Sequence, residues 1–187
     1  EKENRKDARQ LAKLMRVLNG LAKPTIARVN GAAFGGGVGL VACCDIAIAA
    51  ESARFGLTEA RLGLVPAVIS PYVIDAIGAR QARRWFLTAE TFDAATAERL
   101  GLVHQVVADA RLDDAVGEVL ARLRESGPRA VLEAKRLIQR ISHPEPKQRR
   151  ELDEANADLI AALRVSAEGQ EGLKAFFDKR KPGWQRG

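Results

Sequence analysis

Three consecutive glycines, Gly35-Gly36-Gly37, separate a short β-branched run from an apolar stretch too long for a turn. Upstream, Thr25-Ile26-Ala27-Arg28-Val29 reads as a strand that stops at the turn pair Asn30-Gly31. Downstream, the length and small residues of Val38 to Cys44 suit a buried helix, closed at Asp45. Ile46-Ala47-Ile48-Ala49-Ala50 then reads as a strand buried on both faces. Strand and helix in alternation place the chain in the α/β class.

The flanking segments extend this pattern. Asn4 to Leu21 sets Leu11, Leu14, Met15, Leu18 and Leu21 at spacings of three and four, the stripe of an amphipathic helix, which Gly20 and Pro24 end. Phe55 to Leu64 reads as a loop carrying Glu59. Helices are expected over Pro71 to Ile77, capped by Gly78, then over Ala79 to Leu87, and over Phe92 to Leu100 before Gly101. Leu102 to Val107 reads as a strand. Beyond it the pattern is almost wholly helical: Leu112 to Ser126, Pro128 to Ser142, a break at Pro144 and Pro146, then Gln148 to Arg164 and Glu168 to Asp178. A core over residues 1–110 and a helical region over 111–187 are the expected divisions.

Composition excludes several classes. A hydrophobic fraction of 47% with 29% charged residues is that of a globular chain, not a disordered or fibrous one. Charges interrupt every apolar run before the roughly 18 residues of a membrane span, and the charged start at Glu1 to Gln10 resembles no secretory signal. A soluble, cytoplasmic location is therefore expected. Cys43 and Cys44 are adjacent, cannot pair without straining the backbone, and read as buried small hydrophobes. His104 and His143 stand far apart with no further ligand at metal spacing, so no metal site is expected; His104 reads as a partly buried structural residue. The net charge of +6 is compatible with nucleic acid, a phosphorylated small molecule or plain solubility. With only 5% aromatic residues there is no base-stacking surface, so an anionic small ligand is expected and nucleic acid is not.

A glycine cluster opening a helix exposes backbone N–H groups at the positive end of the helix dipole, where an anion can sit. The spacing of Gly35-Gly36-Gly37-Val38-Gly39 fits neither a dinucleotide fingerprint nor a phosphate loop. From pattern alone, anion binding and tight packing against a neighbouring strand remain equal readings.

Longer stretches carry a resemblance. Lys23 to Gly37, Cys44-Asp45-Ile46, Phe55-Gly56-Leu57-Thr58-Glu59-Ala60-Arg61-Leu62-Gly63-Leu64-Val65-Pro66, Ala97 to Val103 and Ala175 to Pro182 together resemble the enoyl-CoA hydratase/isomerase (crotonase) superfamily over nearly the whole chain. The resemblance implies a crotonase-like spiral of β-β-α turns with a helical C-terminal region, assembled as a homotrimer or a dimer of trimers. It implies an acyl-CoA thioester substrate, no cofactor beyond the coenzyme A that the substrate carries, and no membrane partner. Gly36 would donate its backbone N–H to the thioester oxygen, and Glu59 would be the acid or base. Phe34, Gly35, Gly39, Thr58, Leu62 and Pro66 would line the acyl site, and Phe176 and Lys179 would contact coenzyme A. The family's opening strands and a second oxyanion donor would precede Glu1, so a longer natural protein is expected.

One departure bears on the reaction. A typical hydratase carries a second glutamate where this chain has Gly39, and a lone glutamate is what members that shift a double bond tend to have. Leu64 to Val73 resembles instead the bacterial hydratases of branched enoyl-CoAs of the methylglutaconyl-CoA type. Gly39 is accordingly expected to open room for a branched acyl group or a water, close helix packing being the alternative. Ser70 and Tyr72 are either polar contacts there or helix-start and core residues. The expected activity is hydration, with a Δ3,Δ2-isomerase as the alternative; an RNA-binding or non-catalytic assembly role belongs to another class.

Overall fold

The computed structural model describes residues 2–62, 64–142, 166–180, 182 and 183, with side chains in the first helix described from Gln10. Two compact units divide the chain, Glu1–Gly117 and Glu118–Gly187.

The first unit is built from strand-strand-helix repeats. Helix α1, Lys2–Asn19, precedes strands β1, Ile26–Val29, and β2, Ala32–Phe34, which lead into helix α2, Gly36–Cys43. The next repeat has β3, Ile46–Ala50, and β4, Arg54–Gly56, then a 3-10 turn over Thr58–Leu62 and helix α3, Ser70–Thr88. Strand β5, Thr91–Asp93, helix α4, Ala94–Leu100, and strand β6, Gln105–Val107, follow. One sheet has the order β1-β3-β6, all parallel, and the other the order β2-β4-β5, with β4 and β5 antiparallel. Ile26 pairs with Ile46 and Ala32 with Arg54, so each repeat lays one strand on each sheet beside its predecessor. Parallel neighbours need a long crossover, and α2 supplies it for both pairs.

The apolar character of α2 on all sides explains its central place: it packs against α1, α3, β1 and β2. Val38 and Cys43 are buried in it, and Phe55, Leu57 and Val73 are fully enclosed in the same core cluster. Each such large side chain contributes roughly 1.5–3 kcal/mol on leaving water. Asp45 ties the entry of β3 to that of β1, its carboxylate accepting from the Thr25 N–H at 2.7 Å and hydroxyl at 2.9 Å.

Several expectations need correction. The segment from Phe55 holds the end of β4 and a 3-10 turn instead of a loop. The helix expected from Phe92 begins at Ala94, because Phe92 is buried in β5 while Asp93 caps the helix. Strand β2 was not anticipated; three residues are too few for a periodicity to show. Of the α1 stripe, Met15 is fully buried, whereas Leu11, Leu14 and Leu21 are exposed. Cys44 is only half-buried, and His104 is exposed, although its Nδ1 accepts from the Ala47 N–H at 3.0 Å. Gly78 does break α3, with φ 75° and ψ 152° inside the helical run. Among the described residues, no helix is long and apolar enough to cross a membrane.

The second unit contains helix α6, Pro128–Ser142, and helix α7, Ala167–Phe177, in mutual contact. Helix α5, Leu112–Arg124, carries the chain into it. The helix expected over Gln148 to Arg164 lies outside the described residues.

Candidate active site

Strands β2 and β4 are parallel and in register, Phe34 opposite Gly56, so the residues that follow them leave the sheet side by side. The Gly35 N–H donates to the Gly56 carbonyl at 2.9 Å and carries this pairing one residue further. After it, one chain turns into α2 and the other into the 3-10 turn that bears Glu59. The proximity of Glu59 to Gly35, the residue that precedes Gly36, thus follows from strand register.

The turn into α2 requires glycine. Gly35, the N-cap, has φ 49°, a left-handed value that a side chain resists, and it offers no side-chain cap to the helix. The first N–H groups of a helix have no partner within it, so those of Gly36 and Gly37 remain at the positive end of the α2 dipole. No acidic residue occupies the first turn of α2. A Cβ added at Gly36 would meet nothing within 4 Å, so this end of the helix faces open space.

Glu59 supplies the charge beside that end. Its Oε1 lies 3.0 Å, and its Cδ 3.6 Å, from the place a Cβ on Gly35 would take, so the bare glycine makes room for the carboxylate. Glu59 is half-buried, and its Oε2 is shielded from solvent with no hydrogen-bond partner among the described residues. A carboxylate oxygen withdrawn from water and left unpartnered costs stability, and beside an open helix start it is placed to take a proton or meet a ligand, unlike the Trp85 Nε1 that is similarly unpartnered within the core.

The remaining expected residues divide. Phe34 is 44% exposed and lies over Gly56, where a Cβ would meet its ring at 2.8 Å. Thr58 opens the 3-10 turn and is half-buried, and Pro66 is buried with its carbonyl accepting from the Ser70 N–H at 2.9 Å. The side chain of Leu62 lies outside the described residues. Ser70 is a helix-start residue, its hydroxyl donating to the Ala67 carbonyl at 2.8 Å, and Tyr72 packs half-buried against the core.

Gly39 does not open a pocket. A Cβ there would stand 2.3 Å from Ile69 Cγ2, 2.8 Å from Ile69 Cβ and 3.2 Å from Met15 Cε. Ile69 and Met15 are both buried, so this glycine lets α2 and the start of α3 approach, the alternative that the sequence left open. The room expected for a branched acyl group is filled by the Ile69 side chain.

A cleft of about 540 Å³ borders β1 and α2, with Arg28, Asn30, Gly31, Gly37 and Leu40 in its lining. None of the residues expected at the site lines it. The Cys43 thiol is pushed up to about 12, first by burial and then by the charge of neighbouring Cys44, and is no nucleophile at neutral pH. No group of three His, Cys, Asp or Glu residues able to hold a metal occurs among the described residues.

In the second unit, Lys179 follows α7 with φ 50°, and its side chain is exposed. Arg180 beside it is held by Glu171 through two bonds of 2.7 and 2.8 Å, which together with Asp178 raise its pKa further despite burial. That fork is committed to the protein, whereas Lys179, like Lys174 on α7, presents its side chain to solvent. The side chain of Phe176 lies outside the described residues.

Sequence reasoning missed Ile69 and Gly56. Neither carries chemistry, and each matters through a contact across sequence, Ile69 with Gly39 and Gly56 with Phe34. No local spacing signals such contacts.

Comparison with known proteins accords with this geometry. The family model for enoyl-CoA hydratase/isomerase matches residues 2–187. A hydroxycinnamoyl-CoA hydratase-lyase of Pseudomonas fluorescens is 35% identical over 188 residues, covering 99% of this chain and 67% of its own length. Among solved structures, an enoyl-CoA hydratase/isomerase (crotonase) of Legionella pneumophila subsp. pneumophila str. Philadelphia 1 superimposes with a TM-score of 0.90 at 49% identity, covering 98% of this chain and 70% of that one. An enoyl-CoA hydratase of Shewanella pealeana gives a TM-score of 0.90 at 46% identity, covering 98% and 68%. With its strand-strand-helix repeats, its uncapped glycine helix and Glu59 beside it, the chain belongs to the enoyl-CoA hydratase/isomerase family of enzymes and has the crotonase-like fold.

Proposed function

We propose that the protein adds water across the double bond of a 2-enoyl-CoA. The observation that carries this reading is the unpartnered Oε2 of Glu59, held beside the uncapped start of α2. A thioester carbonyl in front of Gly36 accepts from its N–H, and the helix dipole favours the negative charge that grows on that oxygen. One such donor aimed at a developing oxyanion lowers a barrier by roughly 3 kcal/mol. Glu59 takes a proton from water as the water oxygen bonds to C3, and the π electrons pass through C2 to the thioester oxygen. Collapse of the enolate then draws the same proton from Glu59 to C2, so water is added and the carboxylate restored. Coenzyme A enters and leaves with the substrate, and no other cofactor is needed.

Lys179, exposed and without an ion pair among the described residues, suits a phosphate of coenzyme A, and Phe176 is assigned to the adenine by resemblance alone. A homotrimer or a dimer of trimers is the assembly the resemblance supports. The likeness of Leu64 to Val73 to hydratases of the methylglutaconyl-CoA type supports a branched acyl group. Space at Gly39 lends it nothing, since Ile69 fills that space.

The absence of a carboxylate at position 39 favours a second reading, in which Glu59 alone carries a proton between C2 and C4 and shifts the double bond. Turnover in water enriched in heavy oxygen separates the two. Hydration puts solvent oxygen on the acyl chain of a straight or branched enoyl-CoA. A moved double bond with no solvent oxygen in any product would replace the hydratase by the isomerase.

A further inference from the structure

Glycines 35 and 39 are four residues apart, on one face of α2, with the Gly39 N–H donating to the Gly35 carbonyl at 3.2 Å. The place of each missing side chain is taken by a residue from a single downstream segment. Glu59 fills the position over Gly35, and Ile69 fills the position over Gly39. Glu59 and Ile69 therefore meet the same helix one turn apart.

Helix α3, which Ile69 precedes, packs directly against the 3-10 turn that bears Glu59. The Leu64 N–H donates to the Glu59 carbonyl at 3.1 Å, the Ser70 N–H to the Pro66 carbonyl at 2.9 Å, and the Val73 N–H to the Ile69 carbonyl at 3.1 Å. Pro66 is buried and fixes its own φ. Leu64 and Val65 are 60% and 73% exposed, while Val68 packs against the core beside Ile69. The height of Glu59 over the start of α2 is set first by the register of β2 and β4 and then by the packing of its turn on α3, whose start is seated by the apolar contact of Ile69 on Gly39.

We infer that Ile69, seated on Gly39, is a positioning residue that holds the Glu59 carboxylate at its working distance from the Gly36 N–H. The inference rests on the proposed role of Glu59 as acid or base. A displacement of about 1 Å between reacting groups can cost about a hundredfold in rate, so the seat needs to be rigid.

The test is a double-mutant cycle on the full chain, with turnover, KM and thermal melting measured for each variant. Gly39→Ala drives a methyl to 2.3 Å from Ile69 Cγ2 and must lift Ile69 by more than about 1 Å to reach ordinary contact. The expected result is a kcat about a hundredfold lower with KM changed by less than about threefold, measured well below the melting temperature. Adding Ile69→Ala to that variant removes the collision and should restore at least about tenfold of the lost kcat, as a purely structural defect in an already folded protein would not. Ile69→Ala alone, which creates no clash and keeps the protein measurable if Gly39→Ala does not fold, should lower kcat about tenfold, and Ile69→Val should return most of it. Wild-type kcat in Ile69→Ala, or a Gly39→Ala/Ile69→Ala double variant as slow as Gly39→Ala, overturns the inference. Glu59→Gln is run alongside: if it keeps wild-type turnover, the acid/base reading itself has failed, whatever the cycle gives.

Discussion

Helices α2 and α4 start in the same way, each directly after a short strand of the same sheet, and finish their first turns differently. At α4 the residue before the helix is Asp93, whose carboxylate accepts from the Thr96 N–H at 2.8 Å and satisfies the turn locally. At α2 the same place is held by Gly35, which caps nothing, and the nearby carboxylate comes from Glu59 on another element. One helix start is closed by its own sequence. The other is left with free donors and a borrowed charge, which reduces stability locally and creates a place where an anionic oxygen can be bound and a proton moved.

The strongest way to break this contrast is to remove the borrowed charge. Glu59→Gln keeps the shape of the side chain over Gly35 and should lower turnover by at least about a hundredfold, with acyl-CoA affinity and melting temperature nearly unchanged. Turnover within a few-fold of wild type would mean that another group moves the proton, and the open start of α2 would then be a structural accident.

Next in size is Gly36→Ala. The added methyl enters space with no atom within 4 Å, and alanine is the better helix former by up to about 1 kcal/mol, so melting should hold or rise. The methyl also stands beside the N–H that the thioester oxygen must reach, and kcat/KM should fall by about tenfold or more. A variant both more stable and less active marks a position held open for a ligand. Undiminished activity would show that the oxygen binds elsewhere.

How far the sequence itself disclosed this contrast depends on the distance over which each part is decided. The glycine run, the apolar helix after it and the buried strand Ile46–Ala50 were legible because a repeat of small or apolar residues carries its own signal. The pairing of Gly36 with Glu59 came from family resemblance, and its physical cause, the register of Phe34 with Gly56, lies in a strand too short to show a period. Gly39 was misread for a related reason. Bare space beside a glycine and a side chain pressed onto a glycine look identical in one dimension, and Ile69, thirty residues later, decides between them. Asp93 was hidden because Phe92, an apolar residue at helical spacing, belongs to a strand.

The anion contact proposed for Lys179 offers a milder comparison, since a lysine is a mobile, solvated charge and a helix start is a set of fixed dipoles. Lys179→Ala should weaken acyl-CoA binding by about two- to fivefold at low ionic strength. That loss should shrink as salt shortens the screening length to about 10 Å at 0.1 M, while the effect of Gly36→Ala stays constant. Equal affinity for wild type and Lys179→Ala at both ionic strengths would assign Lys179 to solvent and leave the glycine end as the anchor tested so far.

The smallest expected effect is at the closed helix start. Hydrogen bonds from Thr96, its side chain first and its backbone second, hold the Asp93 carboxyl below the ordinary aspartate range, outweighing the opposing effect of burial. A carboxylate whose native pKa is depressed stabilises the fold fully above its unfolded value, near about 3.9, and loses that contribution as the pH falls through the lower native value. Asp93→Ala should therefore melt slightly earlier than wild type at neutral pH, and the two melting curves should converge as the solution is acidified below that window. Turnover at neutral pH should stay at the wild-type level, because this carboxylate serves its own helix. If Asp93→Ala instead melts with wild type at every pH, the cap contributes nothing to α4. The open end of α2 would then differ from its neighbour only in the carboxylate it borrows, and the case for function would rest on Glu59 alone.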